Sequence, residues 1–310
     1  MKKYLLSIVC LMMIGMQSVK AQLAIAALHH EGHVSIYSAS AIQDAIDAAV
    51  KGDTIYLSEG MFGGFNVAKP IAIIGAGQTT VISSNITIGN ISSNVYSIEV
   101  GLLLSGLNIV QDVSFYNTQV GTRIAQCKIV GTCNFNTSYS SNSFNDIEIV
   151  MSQIKTLSLS NGVKGLSVIA SKIASLSAAG ANEGSVTFMN CNLSSTASSN
   201  SKNNYVNCIM NVAGSGSYYN CLYNSKYSSP VFYNCYQNTE FSLDDEQNCS
   251  LSDEELKAAG YVGTDNTWVG IYGGAITYSL VMPVVQVTEH NIEVDSSEKK
   301  LKVSLKLGNK

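Results

Sequence analysis

A recurring short strand constrains this chain more than any other feature. Ile109, Ile129, Ile149, Ile169 and Met189 are apolar and evenly spaced. Each falls in a short apolar segment, at 107–110, 127–130, 147–151, 166–169 and 186–189. Polar residues with turn chemistry separate these segments, as at Gly131, Asn142, Gly162 and Gly180. A period near twenty, made of short strands and polar turns, predicts a β-solenoid. A single coil has an apolar inner face and an unpaired edge. Stacking coils satisfies the backbone and builds a continuous core. The expected fold class is all-β, a parallel β-helix.

A second repeat follows. Asn190-Cys191, Asn207-Cys208, Asn220-Cys221, Asn234-Cys235 and Asn248-Cys249 are five Asn-Cys pairs. Asn tolerates the left-handed backbone conformation of a tight turn, and its amide can reach the Asn one coil away. The next residue points the other way, so Cys fills a small inward site. Stacked, reduced cysteines are the preferred reading and disulfides the alternative. The later steps, from Asn207 to Asn220 and from Asn220 to Asn234, are short for a three-faced coil. Either the coils narrow to two faces there, or the pairs alternate between faces.

An open first coil needs a cover, because a bare sheet edge invites aggregation. Residues 40–50 predict that cover. Ile42, Ala45, Ile46, Ala49 and Val50 recur at helical spacing, Ser40 and Gln43 have the pattern of a capping box, and Gly52 follows as a stop. Strands are expected at 53–57 and 71–74, with a turn at Gly60. Past residue 250 the repeat ends. Ser252-Asp253-Glu254-Glu255 opens an expected short helix. The segments 268–274 and 278–287 read as strands, and 290–294 with 301–307 as a closing hairpin. The expected division is a signal peptide at 1–21, a β-helix at 22–249 with its cap at 40–60, and a C-terminal cap or appended β element at 250–310.

The signal-peptide expectation rests on Lys2 and Lys3, an apolar run at 4–16, and Val19-Lys20-Ala21, which places cleavage after Ala21. The run is too short to span a bilayer as a helix, and no later stretch reaches the length of a spanning apolar helix. The expected location is extracytoplasmic: secreted, periplasmic or at the cell surface, with no membrane span. Charged residues make up only 13% of the chain, against about 25% in an average globular chain. Ser and Asn replace them. The net charge of −4 and a lone arginine, Arg123, give no stripe for nucleic acid.

Three segments carry a family resemblance. The run 41–49, followed by 52–57 and Gly60, resembles the N-terminal capping segment of pectin-lyase-like right-handed parallel β-helix proteins. The Asn-Cys coils are similar to later turns of that superfamily. Gly263-Thr264-Asp265, with 268–274, resembles the tail of uncharacterised secreted bacterial β-helix proteins. The resemblance implies a right-handed parallel β-helix, and polysaccharide cleavage or binding as the activity. Cleavage in that superfamily would require arginine, lysine and calcium-binding carboxylates, or clustered aspartates.

Matching that chemistry to the chain largely fails. Between 61 and 239 the only acids are Glu99, Asp112, Asp146, Glu148 and Glu183. A glycosidase needs two carboxyl groups about 5–10 Å apart. Asp146 and Glu148 form one pair at strand spacing, sharing a face. A cross-coil ion pair between Glu148 and Lys128, one period earlier, accounts for Glu148 without chemistry. A lyase needs a tuned base and a calcium cluster, and no acids lie near Arg123 in sequence. Asp244-Asp245-Glu246 reads as a solvated turn rather than a calcium loop. His29 and His33 have metal-like spacing only on a helix, and that segment reads as disordered or as a first strand. No catalytic residue, metal or cofactor is assigned.

The tyrosines carry the remaining signal. Seven of sixteen fall in 205–236. Tyr218 and Tyr219 are adjacent and cannot both point inward in a regular strand. Exposed tyrosines beside Ser and Asn can stack on sugar rings and bond their hydroxyls; the competing account is aromatic stacking that strengthens narrow coils. Tyr218, Tyr219, Tyr223, Tyr227, Tyr233 and Tyr236 are the candidate ligand-binding residues. The expected function is a non-catalytic, exported binding protein for polysaccharide or a surface protein. The alternative is a polysaccharide lyase or glycoside hydrolase.

Overall fold

The computed structural model describes residues 24–89, 101–116, 119–135, 144–159, 163, 165–178, 185–195, 202–227, 229–237, 258, 260–276, 278–280, 285–295 and 300–309. The leader, Asp244-Asp245-Glu246, Cys249 and the helix expected at Ser252 lie outside the described residues.

The chain folds into an all-β, solenoid-like stack of coils. Among the described residues two long sheets run along it, one of 12 strands and one of 13. The first sheet opens with His33–Ser38 and Ile25–His30, which pair antiparallel as a hairpin; Ile25–His30 is also antiparallel to Thr54–Leu57. From Thr54–Leu57 to Val231–Tyr233, coil stacks on coil with parallel pairing. The second sheet runs beside it, from Gly60–Phe62 to Tyr236–Gln237. In the early coils it carries an extra strip of strands, Phe65–Val67, Ile86–Ile88 and Val113–Phe115. That strip joins the main path at Lys128–Phe135, a long strand whose register shifts between Ile129 and Thr132.

A left-handed corner sets the coil. Gln126, Met151, Ala170, Asn190, Asn207, Asn220 and Asn234 all have φ between 47° and 53°. The residue before each corner faces out on the first sheet. The residue after it faces in: Cys127, Ser152, Ser171, Cys191, Cys208 and Cys221 are all buried. This inward column is uniform in its bonding. Each hydroxyl or thiol donates to the carbonyl two residues earlier, as in Ser171 Oγ to Ile169 O at 2.7 Å and Cys191 Sγ to Met189 O at 3.2 Å. Cys127, Cys133, Cys191, Cys208, Cys221 and Cys235 are all unbridged. The pairs do not alternate between faces. The steps between successive corners are unequal: the longest runs from Gln126 to Met151 and the shortest from Asn207 to Asn220. The coils from Met151 onward each have two strands, and the last ones are shorter because fewer residues join them: three separate Ile209–Ala213 from Ser217–Tyr219, against six between Lys172–Ala178 and Ser185–Met189.

The unequal coils correct the expectation of a constant period. Ile109 and Ile129 do stack in the second sheet, but Ile129 next meets Ile154. Ile149 lies in the first sheet between Ile124 and Val168. The coil from Gln126 to Met151 is longer than the sequence period, so the step from Ile129 to Ile149 crosses from one sheet to the other. Lys128 and Glu148 are therefore not neighbours. Lys128 pairs in register with Asn108 and Gln153. Glu148 pairs with Arg123 and Ser167.

The helix at the N-terminal end is shorter than its sequence pattern. A 3-10 turn, Ala39–Ala41, leads into an α-helix, Ile42–Ala48. Ile42, Ala45 and Ile46 are buried in the core of the first coils. The expected capping box does not form: Ala41 is the N-cap and makes no side-chain bond. Gln43 is used elsewhere. Its amide donates to Asn66 O at 3.1 Å and accepts from Asn66 N at 2.8 Å, so it imitates a paired strand beside Phe65–Val67. Lys69 Nζ donates to the carbonyls of Ile46, Asp47 and Ala49 at 3.0, 2.6 and 2.8 Å, and so closes the helix C-terminus. A cation there also meets the negative end of the helix dipole. Gly60 lies in a strand rather than a turn.

Residues 261–274 form a strap along the side of the last coils. Val269 and Ile271 are fully buried against Ile209 and Leu222, with Tyr236, Tyr261 and Trp268 around them. The Asn column holds this strap. Asn190 Nδ2 donates to Ile271 O and Gly273 O at 3.1 and 2.6 Å, and Asn234 Nδ2 to Val262 O at 3.0 Å. Asn220 Oδ1 accepts from Thr264 N at 3.1 Å, and Gly270 N donates to Asn220 O at 2.8 Å. The strap is folded tightly on itself: a Cβ at Gly273 would collide with the Trp268 carbonyl. A two-stranded antiparallel hairpin, Val285–Asp295 with Lys300–Asn309, follows it.

Candidate functional site

The outer face of the first sheet carries an ordered surface feature. Because the residue before each corner faces out, stacking turns one sequence position into a column. Through seven coils it reads Ala125, Val150, Ile169, Met189, Val206, Tyr219 and Tyr233. All are at least partly exposed, with Tyr219 and Tyr233 at 39% and 50%. Two residues back, a second outward column is polar: Glu148, Ser167, Thr187, Asn204 and Ser217. Stacked strands lie about 4.8 Å apart, so the face is a ruled strip of apolar and hydroxyl or amide rows.

The six candidate tyrosines do not form one surface. Tyr218 is fully buried. Its ring stacks on Tyr205 with centroids 4.4 Å apart, and its hydroxyl donates to Gly214 O at 3.0 Å, so it presents no face to a ligand. Tyr223 stacks on Phe232 at 4.4 Å and packs against the core. Tyr236 lies beside Tyr261 of the strap, with its hydroxyl 3.3 Å from Asn234 Oδ1. Tyr227 is 64% exposed, directly after the strand Leu222–Lys226. Only Tyr219 and Tyr233 share an outer face. Their rings stack on each other, with centroids 4.7 Å apart and planes 5° apart. The ring faces between them are therefore already used. The pair offers mainly ring edges and hydroxyls, which is less than the sugar-stacking platform expected from composition.

The second sheet has a groove that sequence reading missed. Lys128, Gln153 and Lys172 stack in register, and Lys155, Val130 and Ala174 complete its wall. It lies beside the register shift in Lys128–Phe135, where Gly131 adds a residue to the strand. Among the described residues no carboxylate pairs with its lysines. The signal was present in the sequence, but only the true register, with its long step from Gln126 to Met151, aligns these lysines.

Several carboxylates among the described residues are engaged in structure. Glu148 forms an ion pair with Arg123, Oε2 to Nε at 3.5 Å, both half-exposed. Asp146 is not on the strand with Glu148. It occupies the left-handed turn before Ile147–Val150, with φ of 52°. Asp112 Oδ1 accepts from Thr132 N at 2.6 Å and so holds the shifted segment. Asp265 binds Thr267 through its hydroxyl at 2.7 Å and its N–H at 3.1 Å, which lowers the Asp265 pKa. Asp53 accepts from Val50 N at 2.8 Å and lies 2.9 Å from His30 Nδ1. The backbone bond, above all, lowers the Asp53 pKa, and the bond to Asp53 raises that of His30. His29 and His33 lie on the two strands of the first hairpin, and His29 packs edge-on against Tyr56. Among the described residues no group of three His, Cys, Asp or Glu could hold a metal. The buried thiols are poor nucleophiles: burial pushes Cys127 up to about 12, and Cys208 and Cys221 upward as well. Among the described residues no helix is long and apolar enough to cross a membrane.

Comparison with known protein families, curated proteins and solved structures finds no match to this chain.

Proposed function

We propose that this chain is an exported, non-catalytic right-handed parallel β-helix, related to the pectin-lyase-like proteins, which binds an extended polysaccharide or surface protein along its first sheet. One observation carries the reading: an apolar outward column runs through seven coils beside a row of mostly neutral polar side chains. Isolated exposed apolar residues need no explanation, but a contiguous strip is a mark of recognition surfaces. The engaged carboxylates support the non-catalytic part. The positive n-region, apolar run and Val19-Lys20-Ala21 support export.

A glycan array run beside a polysaccharide depolymerisation screen tests it. Binding without cleavage, weakened by Ile169→Lys together with Met189→Lys, is the expected result. Release of unsaturated or reducing ends would overturn it in favour of a lyase or hydrolase. The groove bordered by Lys128, Lys155 and Lys172, lined mainly by apolar atoms, is the feature that favours that second reading. In that case Lys155→Ala would lower the rate of release.

A further inference from the structure

The exposed strand at the start of the first sheet has the properties of a pairing edge. Among the described residues His33–Ser38 is the outermost strand of that sheet and pairs on one side only, with Ile25–His30. The two strands are joined by Glu31 and Gly32, both with positive φ. A two-residue loop of that kind closes on a hydrogen-bonded pair, here His30 and His33. Antiparallel alternation then assigns Ser35 and Tyr37 to the inner ladder. The backbone groups of Val34 and Ile36 are left on the open side. Their side chains are among the most exposed apolar groups of the described residues, at 52% and 59%.

Natural sheets blunt such edges with charge, proline or a bulge. This strand has none: it reads His-Val-Ser-Ile-Tyr-Ser, and its register with Ile25–His30 is unbroken. The strand at the other end of the same sheet, Val231–Tyr233, is preceded by Pro230. The difference falls on the edge whose sequence is self-complementary. If two copies pair antiparallel about Ser35, Val34 lies opposite Ile36 of the second copy, and Ser35 opposite Ser35. Each exposed aliphatic residue then meets an aliphatic residue on the same face. The pairing sets every position of the strand against another position of the same strand, so an acid or lysine next to Ser35 would lie close to its own copy. None is present. Ile25 and Tyr56, 37% and 46% exposed on that same outer face, would extend the buried patch.

We infer that His33–Ser38 is a dimerisation edge, paired antiparallel with the same strand of a second copy of this chain and joining two twelve-stranded sheets into one. This goes beyond the proposed function and does not depend on it.

Sedimentation velocity on the purified protein over a concentration series reads the mass directly. The expected result is a reversible monomer–dimer equilibrium. Val34→Lys with Ile36→Lys weakens it by roughly tenfold or more, with far-UV circular dichroism and melting temperature unchanged. A second variant fixes the register. Opposed residues of a non-hydrogen-bonded antiparallel pair have Cα atoms about 4.5 Å apart, within disulfide reach. Ser35→Cys should therefore give a covalent dimer under mild oxidation, while Lys51→Cys, in an exposed turn, should not. A chain that stays monomeric at every concentration and does not cross-link through Ser35→Cys overturns the inference. So does a dimer that survives both lysines, or an edge filled instead by an extended segment of a different protein.

Discussion

Ser and Cys share one inward column without disturbing it, and the reason lies in the bond each makes. A hydroxyl or a thiol after the left-handed corner returns to the carbonyl two residues earlier, so size and donor matter more than sulfur chemistry. His30 and Asp53 show the same local economy at the first coil. Asp53 is buried, at 7% exposure, and ties the first hairpin to the turn at Val50. The raised His30 pKa contributes stability that is complete below its ordinary value of about 6.5 and is lost as pH rises through the raised value. The lowered Asp53 pKa contributes stability present above its ordinary value of about 3.9 and lost as pH falls through the lowered value. The pair therefore stabilises most between those limits. Chemical denaturation of wild type and Asp53→Asn at pH 3, 5 and 9 should show the largest difference at pH 5. A difference independent of pH would contradict the pairing.

At the scale of elements, the strap is the feature with the largest consequence. Ile209 and Leu222 occupy outward positions that are polar or basic in earlier coils, at Lys128, Gln153, Lys172 and Asn192. They are apolar only where residues 261–274 cover them. Asn220 serves twice, once by adopting φ of 52° and once by binding Thr264. Two substitutions separate these roles. Asn220→Gly keeps the corner and loses the side-chain bonds, at a cost of about 1–2 kcal/mol. Asn220→Ala adds about 1 kcal/mol or more of backbone strain. Trp268→Ala should loosen the strap and expose Ile209 and Leu222, read as faster hydrogen exchange in 209–213 and 222–226 with little change in Ala72–Ile74. Equal melting temperatures for the Gly and Ala variants would remove the strain argument.

For the whole molecule, the solenoid is held by neighbour-to-neighbour contacts, so its coils should be separable. The corners Met151 and Ala170 are separated in sequence by one repeat, which carries the strands Gln153–Leu159 and Gly165–Ile169; the segment to remove is 152–170. Its deletion joins Met151 to Ser171 and preserves the inward column. Repeat proteins approximate a sum of coil and interface terms, so the shortened chain should fold with an unchanged β signature and a smaller denaturant m-value. A chain that unfolds on this deletion would show that the coils are not modular.

How much of this was legible in the sequence differs by scale. Periodic apolar positions and Asn-Cys pairs are local signals. They identified an all-β stack, the capping helix and the inward cysteines, because inside-out alternation and tolerance of the left-handed turn belong to single residues. Register was not legible. The step from Gln126 to Met151 is longer than the sequence period and shifts the later neighbours, so Glu148 meets Arg123 rather than Lys128, and the lysines of the groove align only once the coils are stacked. The tyrosines divide for the same reason. Tyr218 and Tyr219 are adjacent in the chain, yet alternation buries one and exposes the other, and stacking then decides that the exposed ring meets Tyr233. The amino-acid sequence by itself determined the kind of coil, since that depends on residue chemistry and spacing. Tertiary structure alone decided which side chains share a surface, since that depends on coil lengths summed along the whole stack.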